Sequence, residues 1–361
     1  MKVLIVNTAE RKGGAAIAAN RLMKAVNRQG CDASMLVRDG ATGDGKVTVI
    51  GRDLRRKWHF LSERLLIWMA NGFSRRMLFD VDIASAGTDI TGLDVFKEAD
   101  IIHLHWINQG MLSLDDLKAI FASGKPVVWT MHDMWPFTGI CHHAGTCVKY
   151  RTGCHDCPQL VHPGRHDLSQ RVFAKKRTIY SGADLTFVGC SRWIAGLAGT
   201  SLLTAGHRVV SIPNAVDTTL FRPVDRDDAR RELKLPVEKY LLLFGSVKTS
   251  DRRKGIDYLI EACRIMARKH PELADRIGVV VFGGASEEFV SSFPYPIYPL
   301  DYVSQESELV TVYNAADIYV TPSLQENLPN TIAEAMSCGT PCVGFNIGGI
   351  PQLSLIHISE P

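Results

Sequence analysis

The feature that most limits the fold is an alternation, run through twice, of short apolar segments with helical ones. Residues 3–6 form a continuous apolar run, followed by a loop holding Gly13 and Gly14 and then by residues 16–26 at helical spacing. Further apolar runs recur at 34–37, 100–104, 127–130, 185–188 and 209–212, with helical patterns at 114–122 and 172–180 between some of them. Strands that are apolar along their whole length need cover on both faces, and intervening helices supply it. The pattern therefore predicts an α/β chain built on a doubly wound, mainly parallel sheet. A second series follows: strand 240–244, helix 256–269, strand 277–282, short strand 297–300, helix 306–315, strand 317–320, a helix opening near Pro329, and strand 341–345. Segment 214–238 between the series is rich in charge and carries Pro223 and Pro236, which reads as a linker. Two Rossmann-like domains are expected, at 1–213 and 239–353, facing one another across a cleft at the carboxyl ends of their strands.

Length agrees, since 361 residues correspond to about two domains. A net charge of +3 is too small to argue for nucleic acid, and no run approaches a membrane span. The opening MKVLIVNTAE reads as a buried strand, without the basic n-region and small-residue cleavage site of a secretory signal, which places the chain in the cytoplasm. Nine cysteines in a reducing compartment call for a reading other than a disulfide framework.

Residues able to carry chemistry gather at the predicted strand ends. Gly13 and Gly14 lie where backbone amides approach a phosphate or hydroxyl; a tight turn is the simpler reading, and without GxGxxG a dinucleotide oxidoreductase is disfavoured. His132 and Asp133 follow strand 127–130, where a neutral imidazole hydrogen-bonds a sugar hydroxyl. Ser191 is placed to cap the helix after strand 185–188, and Asn214 and Asp217 suit an Asx turn. Arg252, Arg253 and Lys254, just before a helix and closed by Gly255, suit a diphosphate and the charge that develops as it leaves, although a charge run is more often a solvated surface. Gly283 and Gly284 form a second close-approach loop. Glu326 and Glu334 straddle a helix start at which Pro329 suits the first turn and Asn327 the cap; amides from the turn holding Asn327, Leu328 and Asn330 would face a ligand.

Two insertions interrupt the alternation. Residues 52–79 carry seven basic side chains against Asp53 and Glu63, seven minus two or +5, interleaved with Trp58, Phe60, Leu61, Leu65, Leu66, Trp68, Met69 and Phe73. A basic amphipathic helix of this kind lies on an anionic membrane surface or meets a lipid-linked acceptor; the plainer alternative is a helical flap packed on its domain. The loop 136–160 holds Cys141, Cys147, Cys154 and Cys157 as C-x5-C-x6-C-x2-C. Four thiolates complete a tetrahedral structural zinc site with no open position for catalysis, while disulfides and free buried thiols remain alternatives.

Taken together, GG at Gly13–Gly14, HD at His132–Asp133, SRW at 191–193, PNAVD at 213–217, RKG at 253–255 and the E-x7-E pair followed by GTPCV and GGIPQ resemble the retaining glycosyltransferases of family 4, of GT-B fold. The segment MHDMWPFTGICHHAGTC resembles a bacterial subgroup that includes colanic acid and other exopolysaccharide transferases. The resemblance implies a nucleotide-sugar donor, a glycan or lipid-linked acceptor and no catalytic metal. Arg253 and Lys254 would hold the donor diphosphate, Glu326 the sugar hydroxyls and Glu334 the ribose. His132 would stand by the sugar, and Gly13–Gly14 near acceptor and phosphate. Ser246 stands where many relatives have Arg, so Arg252 or Arg253 supplies that cation. A sugar-nucleotide epimerase, or an inactive donor-binding fragment, are the other readings. The last follows from LSLIHISEP, residues 353–361, which departs from the family's continuation and reads as a truncation or foreign tail that leaves the second domain incomplete.

Overall fold

The computed structural model describes residues 1–50, 53–248, 251–284, 291–301, 303 and 305–354. It divides into two compact units, Met1–Ala215 and Val216–Pro361. Unit 1 runs β1 (Lys2–Ala9), α1 (Gly14–Arg28), β2 (Asp32–Asp39), β3 (Val47–Val49), α2 (Asp53–Ala70), α3 (Asp94–Glu98), β4 (Ile101–Leu104), α4 (Leu114–Ala122), β5 (Val127–Met131), α5 (Leu168–Tyr180), β6 (Leu185–Gly189), α6 (Arg192–Gly199) and β7 (Arg208–Ser211). The strands pair in the order β3-β2-β1-β4-β5-β6-β7, every pair parallel.

Alternation along β1 explains why both faces are covered. Val3 and Ile5 join Ala19, Met23, Met35 and Val37 in one core cluster, whereas Leu4 and Val6 join Leu104, Trp129, Trp135 and Phe187 in the other. Helix starts follow local chemistry: the Ser113 side chain accepts from the Asp116 amide in a capping box on α4, and Asp167 and Ser191 cap α5 and α6. The order reverses between β1 and β4, so a crevice opens beyond their carboxyl ends.

Unit 2 runs α7 (Arg226–Glu232), β8 (Tyr240–Lys248), α8 (Ile256–Lys269), β9 (Ile277–Gly284), β10 (Ile297–Leu300), α9 (Glu306–Ala315), β11 (Ile318–Thr321), α10 (Asn330–Ser337), β12 (Cys342–Gly344) and α11 (Ile350–Ser354). Its five parallel strands are ordered β10-β9-β8-β11-β12, with the reversal between β8 and β11.

Three sequence expectations change. Segment 214–238 is not a free linker: unit 2 begins at Val216, and α7 is pinned by the buried Arg230. Its guanidinium donates to the carbonyls of Ala315, Val237 and Lys239 at 2.8–3.0 Å and pairs with Asp317 at 2.6 Å. A polar anchor inside a charged run gives no apolar period to read. At α10, Pro329 occupies the N-cap position rather than the first turn, and no side chain caps the helix, so Asn327 is not its cap. Third, β3 and α3, of three and five residues, were too short to show a period.

The basic insertion is both a flap and an amphipathic surface. Helix α2 buries Glu63, Arg64 and Ile67, and Arg64 donates to the carbonyls of Leu78 and Val81 and to Asp82. Its outer side leaves Trp58 70% exposed, with Leu61, Leu65, Leu66, Met69 and the following Phe73 also exposed. Arg52 and residues 355–361 of the expected tail lie outside the described residues.

Candidate functional site

In unit 2 the reversal point brings together the loops after β8 and β11. Arg252, Arg253 and Lys254 form one 3-10 turn whose N-cap, Asp251, accepts from the Arg253 amide. Partial burial acts upward on the Asp251 carboxyl, but hydrogen bonds from Arg253 hold it below the usual carboxylate range. The turn ends at Gly255 with φ 71°, and a Cβ there would stand 1.9 Å from the Pro322 carbonyl oxygen. Only glycine permits both the left-handed conformation and that approach. The Leu324 amide completes the seam by donating to the Arg253 carbonyl at 2.8 Å.

This seam places Lys254 against Glu326, Nζ donating to Oε2. Neither is sealed away: the Lys254 side chain is 34% and that of Glu326 18% exposed. Arg252 and Arg253 are exposed beside them. Gly348, in the GGIPQ stretch, has φ 54° and would place a Cβ 1.8 Å from the Glu326 carbonyl oxygen, so that loop is pressed onto the backbone of Glu326. Four residues on, α10 begins with its first amides uncapped by any side chain, next to the buried Asn327 and Leu328 and the half-buried Asn330. An uncapped helix start beside a cation and a carboxylate suits a ligand that combines anionic oxygens with hydroxyls.

Glu334 stands apart from this surface. It is 2% exposed on the inner side of α10, and its Oε2 accepts from Tyr313 at 2.8 Å. Gly283 and Gly284 are the last residues of β9 rather than a loop, and a Cβ on Gly283 would meet the Ser246 carbonyl oxygen at 1.8 Å. Close strand packing explains that glycine.

In unit 1, Gly13 is the N-cap of α1 with φ 91° and nothing within 4 Å of a built Cβ, so conformation alone calls for glycine there. Beyond β4 and β5 a histidine cluster appears. His105 Nδ1 lies 2.9 Å from His132 Nε2, His132 Nδ1 lies 3.5 Å from the Cys190 sulfur, and His103 Nε2 lies 2.8 Å from the Thr130 hydroxyl. Burial pushes His103 and His132 down to about 4 and His105 well down, so all three are neutral at pH 7. Asp133 Oδ2 accepts from Trp106 Nε1 at 2.8 Å and binds His142 Nδ1 at 2.7 Å, while Oδ1 accepts from the Trp135 amide. Burial acts upward on Asp133, yet His142 and these donors hold it at about 2. His105 and Trp106 were missed in the sequence; the HLHW run ending β4 was the available signal.

Asp217 does form the Asx turn, accepting from the Thr219 amide at 3.1 Å. No disulfide joins the four loop cysteines, so of the readings offered by the sequence the disulfide one is not what forms.

Comparison with known proteins agrees with this architecture. The profile described as Glycosyltransferase Family 4 matches residues 12–220, more than half of the chain, and that described as Glycosyl transferases group 1 matches residues 238–356. A D-inositol 3-phosphate glycosyltransferase of Corynebacterium jeikeium is 28% identical over 271 residues, covering 70% of this chain and 57% of that protein. One from Thermobifida fusca is 35% identical over 155 residues, covering 40% of this chain and 35% of its own length. The chain thus spans about a third to just over half of the curated relatives it matches. Among solved structures, sucrose-phosphate synthase from Thermosynechococcus elongatus superposes with a TM-score of 0.59 at 17% identity, over 97% of this chain and 82% of that one. Anabaena Alr3699/HepE in complex with UDP gives 0.59 at 17% identity, over 98% and 83%. At such identity these two show the GT-B fold alone. With two parallel-sheet α/β units and a family profile over most of the first, the chain belongs to glycosyltransferase family 4.

Proposed function

We propose that the chain transfers a sugar from a nucleotide-sugar to a hydroxyl of a glycan or lipid-linked acceptor, with retention at the anomeric carbon. The observation that carries this reading is the Lys254–Glu326 pair at the reversal point of unit 2, held by glycines at 255 and 348 that admit no side chain. In this reading Lys254 and Arg253 bind the diphosphate, with Arg252 at the rim. Glu326 holds the sugar hydroxyls, and the amides around Asn327, Leu328 and Asn330 take further oxygens. Glu334, behind that surface and bound by Tyr313, supports the ribose edge through α10 rather than by contact. In unit 1, His132 is the side chain assigned to the sugar being transferred, and Gly13–Gly14 the loop that admits the acceptor.

The chemistry follows from charge. The bond between the anomeric carbon and the β-phosphate oxygen breaks, the acceptor oxygen attacks on the same face, and its proton passes to the departing phosphate oxygen. Cations already fixed at that oxygen stabilise the charge as it develops, and no catalytic metal is required. The segment from Met131 to Cys147 favours an acceptor from cell-surface polysaccharide synthesis, while the names of the curated relatives make D-inositol 3-phosphate a second acceptor to try. The exposed stripe of Trp58, Leu61, Leu65 and Met69, beside exposed Lys57, Arg75 and Arg76, supports peripheral contact with an anionic lipid surface. Among the described residues no helix is long and apolar enough to cross a membrane.

The test is a panel of UDP-, GDP- and ADP-sugars, first by thermal shift and then with acceptors, the product anomer being read by NMR. A donor that stabilises the protein and is transferred with retention is the expected result. An isomeric sugar formed without acceptor would make the protein an epimerase, and stabilisation without transfer to any acceptor would leave it a donor-binding protein.

A further inference from the structure

Residues 132–167, between β5 and α5, contain only two single-turn 3-10 helices, Trp135–Phe137 and Lys149–Arg151. Connections this long without regular structure are uncommon inside a compact domain. Yet this one is interior: Trp135, Phe137, Ile140, Tyr150 and Leu160 are buried, and it carries Asp133 and His142. Its backbone has one ladder-type contact, the bridge of Cys141 to Val81, in which the Asp82 amide donates to the Ile140 carbonyl at 2.8 Å and the His142 amide to the Asp80 carbonyl at 3.4 Å; residues 143–167 have no such bridge.

From four thiols and their surroundings, we infer that the loop is closed by a structural zinc ion bound to Cys141, Cys147, Cys154 and Cys157. All four residues, from separate turns of the loop, line one void of about 20 Å³, which is close to the space of a single water-sized body. The Thr138 hydroxyl donates to the Cys141 carbonyl at 2.7 Å and the Leu160 amide to the Cys157 carbonyl at 3.1 Å. Two of the sulfurs, in contrast, already have an amide directed at them: Gly139 donates to Cys154 Sγ at 3.3 Å and the Gln159 amide faces Cys157. Such donors stabilise a metal-bound thiolate. In the C-x2-C turn, Asp156 adopts φ 43°, and Gly145 adopts φ 56° between Cys141 and Cys147. These left-handed residues fold each cysteine pair back on itself.

Charge is also matched. Zinc with four thiolates is doubly negative, and the fully buried Lys176 stands beside the loop. Its Nζ lies 3.3 Å from the centre of the Trp135 ring and donates to the carbonyls of Trp135 and Thr138, and the groups within its electrostatic reach are Asp82 first, then Cys154, Cys141 and Asp133. A buried ammonium is costly unless anions face it. His155 also lines the void, but its ring binds Asp156 at 2.6 Å and is half exposed, which favours four sulfurs over three and an imidazole. Among the described residues no group of three or more such side chains stands ready-made about a metal. Binding therefore includes turning the thiols about χ1 into the void, to about 2.3 Å from the ion.

The experiment uses the full chain, expressed with zinc and iron in the medium and purified without chelator. Elemental analysis should give about one zinc per chain, with the four thiols shielded from a thiol reagent until the metal is removed. Cys154→Ser and Cys157→Ser should lower bound zinc at least about tenfold, whereas Cys263→Ser, in the core of unit 2, should leave it unchanged. Should the serine variants fail to fold, cobalt substitution of the parent gives the answer alone, through thiolate-to-cobalt absorption. Iron in place of zinc, or no metal together with thiols that titrate in the native protein and no cobalt band, would overturn the proposal.

Discussion

Replacing Gly255 by Ala tests the seam on which the unit 2 site is built. The new Cβ would start 1.9 Å from the Pro322 carbonyl oxygen, in a backbone with φ 71°. The left-handed conformation costs about 1–2 kcal/mol for a residue with a Cβ. Relieving the overlap adds about 1–3 kcal/mol, as for other overpacked sites. The carbonyl can retreat only by pulling Leu324 from the Arg253 carbonyl, a bond worth about 1 kcal/mol. The expected loss is about 3–6 kcal/mol, or roughly 10–20 °C in the midpoint for a unit of this size. Gly13→Ala is the control: its φ is also positive, but no atom lies within 4 Å, so only the conformational part applies. All six tryptophans lie in unit 1, so their fluorescence follows that unit while amide hydrogen exchange on β8 and β11 follows unit 2. Faster exchange confined to unit 2, and a larger loss than for Gly13→Ala, are predicted. Equal losses for the two variants would refute the reasoning.

Other perturbations follow from buried charges. Burial, then the neighbouring Asp82, raises Glu63 to about 8, so the folded protein holds a proton there that the unfolded chain releases near 4.5. The resulting stability is fully present below about 4.5 and is lost as pH rises toward 8; Glu63→Gln should flatten urea midpoints across that range. Arg230→Met removes a cation donating to three carbonyls and leaves Asp317 without its buried partner, and should cost about 3–5 kcal/mol in unit 2 unfolding. Serine at Trp58, Leu61 and Leu65 together should abolish sedimentation with anionic vesicles while leaving the tryptophan unfolding midpoint within about 1 °C of the parent, since those side chains are exposed.

Where the sequence was legible, the physics was local. Helices 114–122, 256–269 and 306–315 appear at the expected bounds because their apolar positions recur at helical spacing, and a capping box marks the start of the first. The RKG and GGIPQ stretches were read only as a cation run and a family motif, and the structure adds why their glycines are there: Pro322 approaches Gly255 and the Glu326 backbone approaches Gly348. What failed was long-range. Neither the burial of Glu334 against Tyr313 nor the capture of Asp133 by Trp106 and His142 has a neighbour-to-neighbour signal, since each pairs residues brought together only by the sheet. Helix α7 escaped notice for the same reason, its anchor being a contact between Arg230 and residues 85 and 87 positions away.

The central claim is that Lys254 holds the diphosphate and Glu326 the sugar. Calorimetry with the preferred nucleoside diphosphate and its nucleotide-sugar, on the parent, Lys254→Ala and Glu326→Ala, tests it most directly. Losing a charged hydrogen bond of about 1.5–3 kcal/mol, Lys254→Ala should weaken both ligands about 10- to 100-fold. Glu326→Ala should weaken the nucleotide-sugar alone and leave the diphosphate at least as tightly bound, because Lys254 loses its competing carboxylate. Parent-like binding of both ligands by Lys254→Ala, or equal weakening of both by Glu326→Ala, would contradict the account.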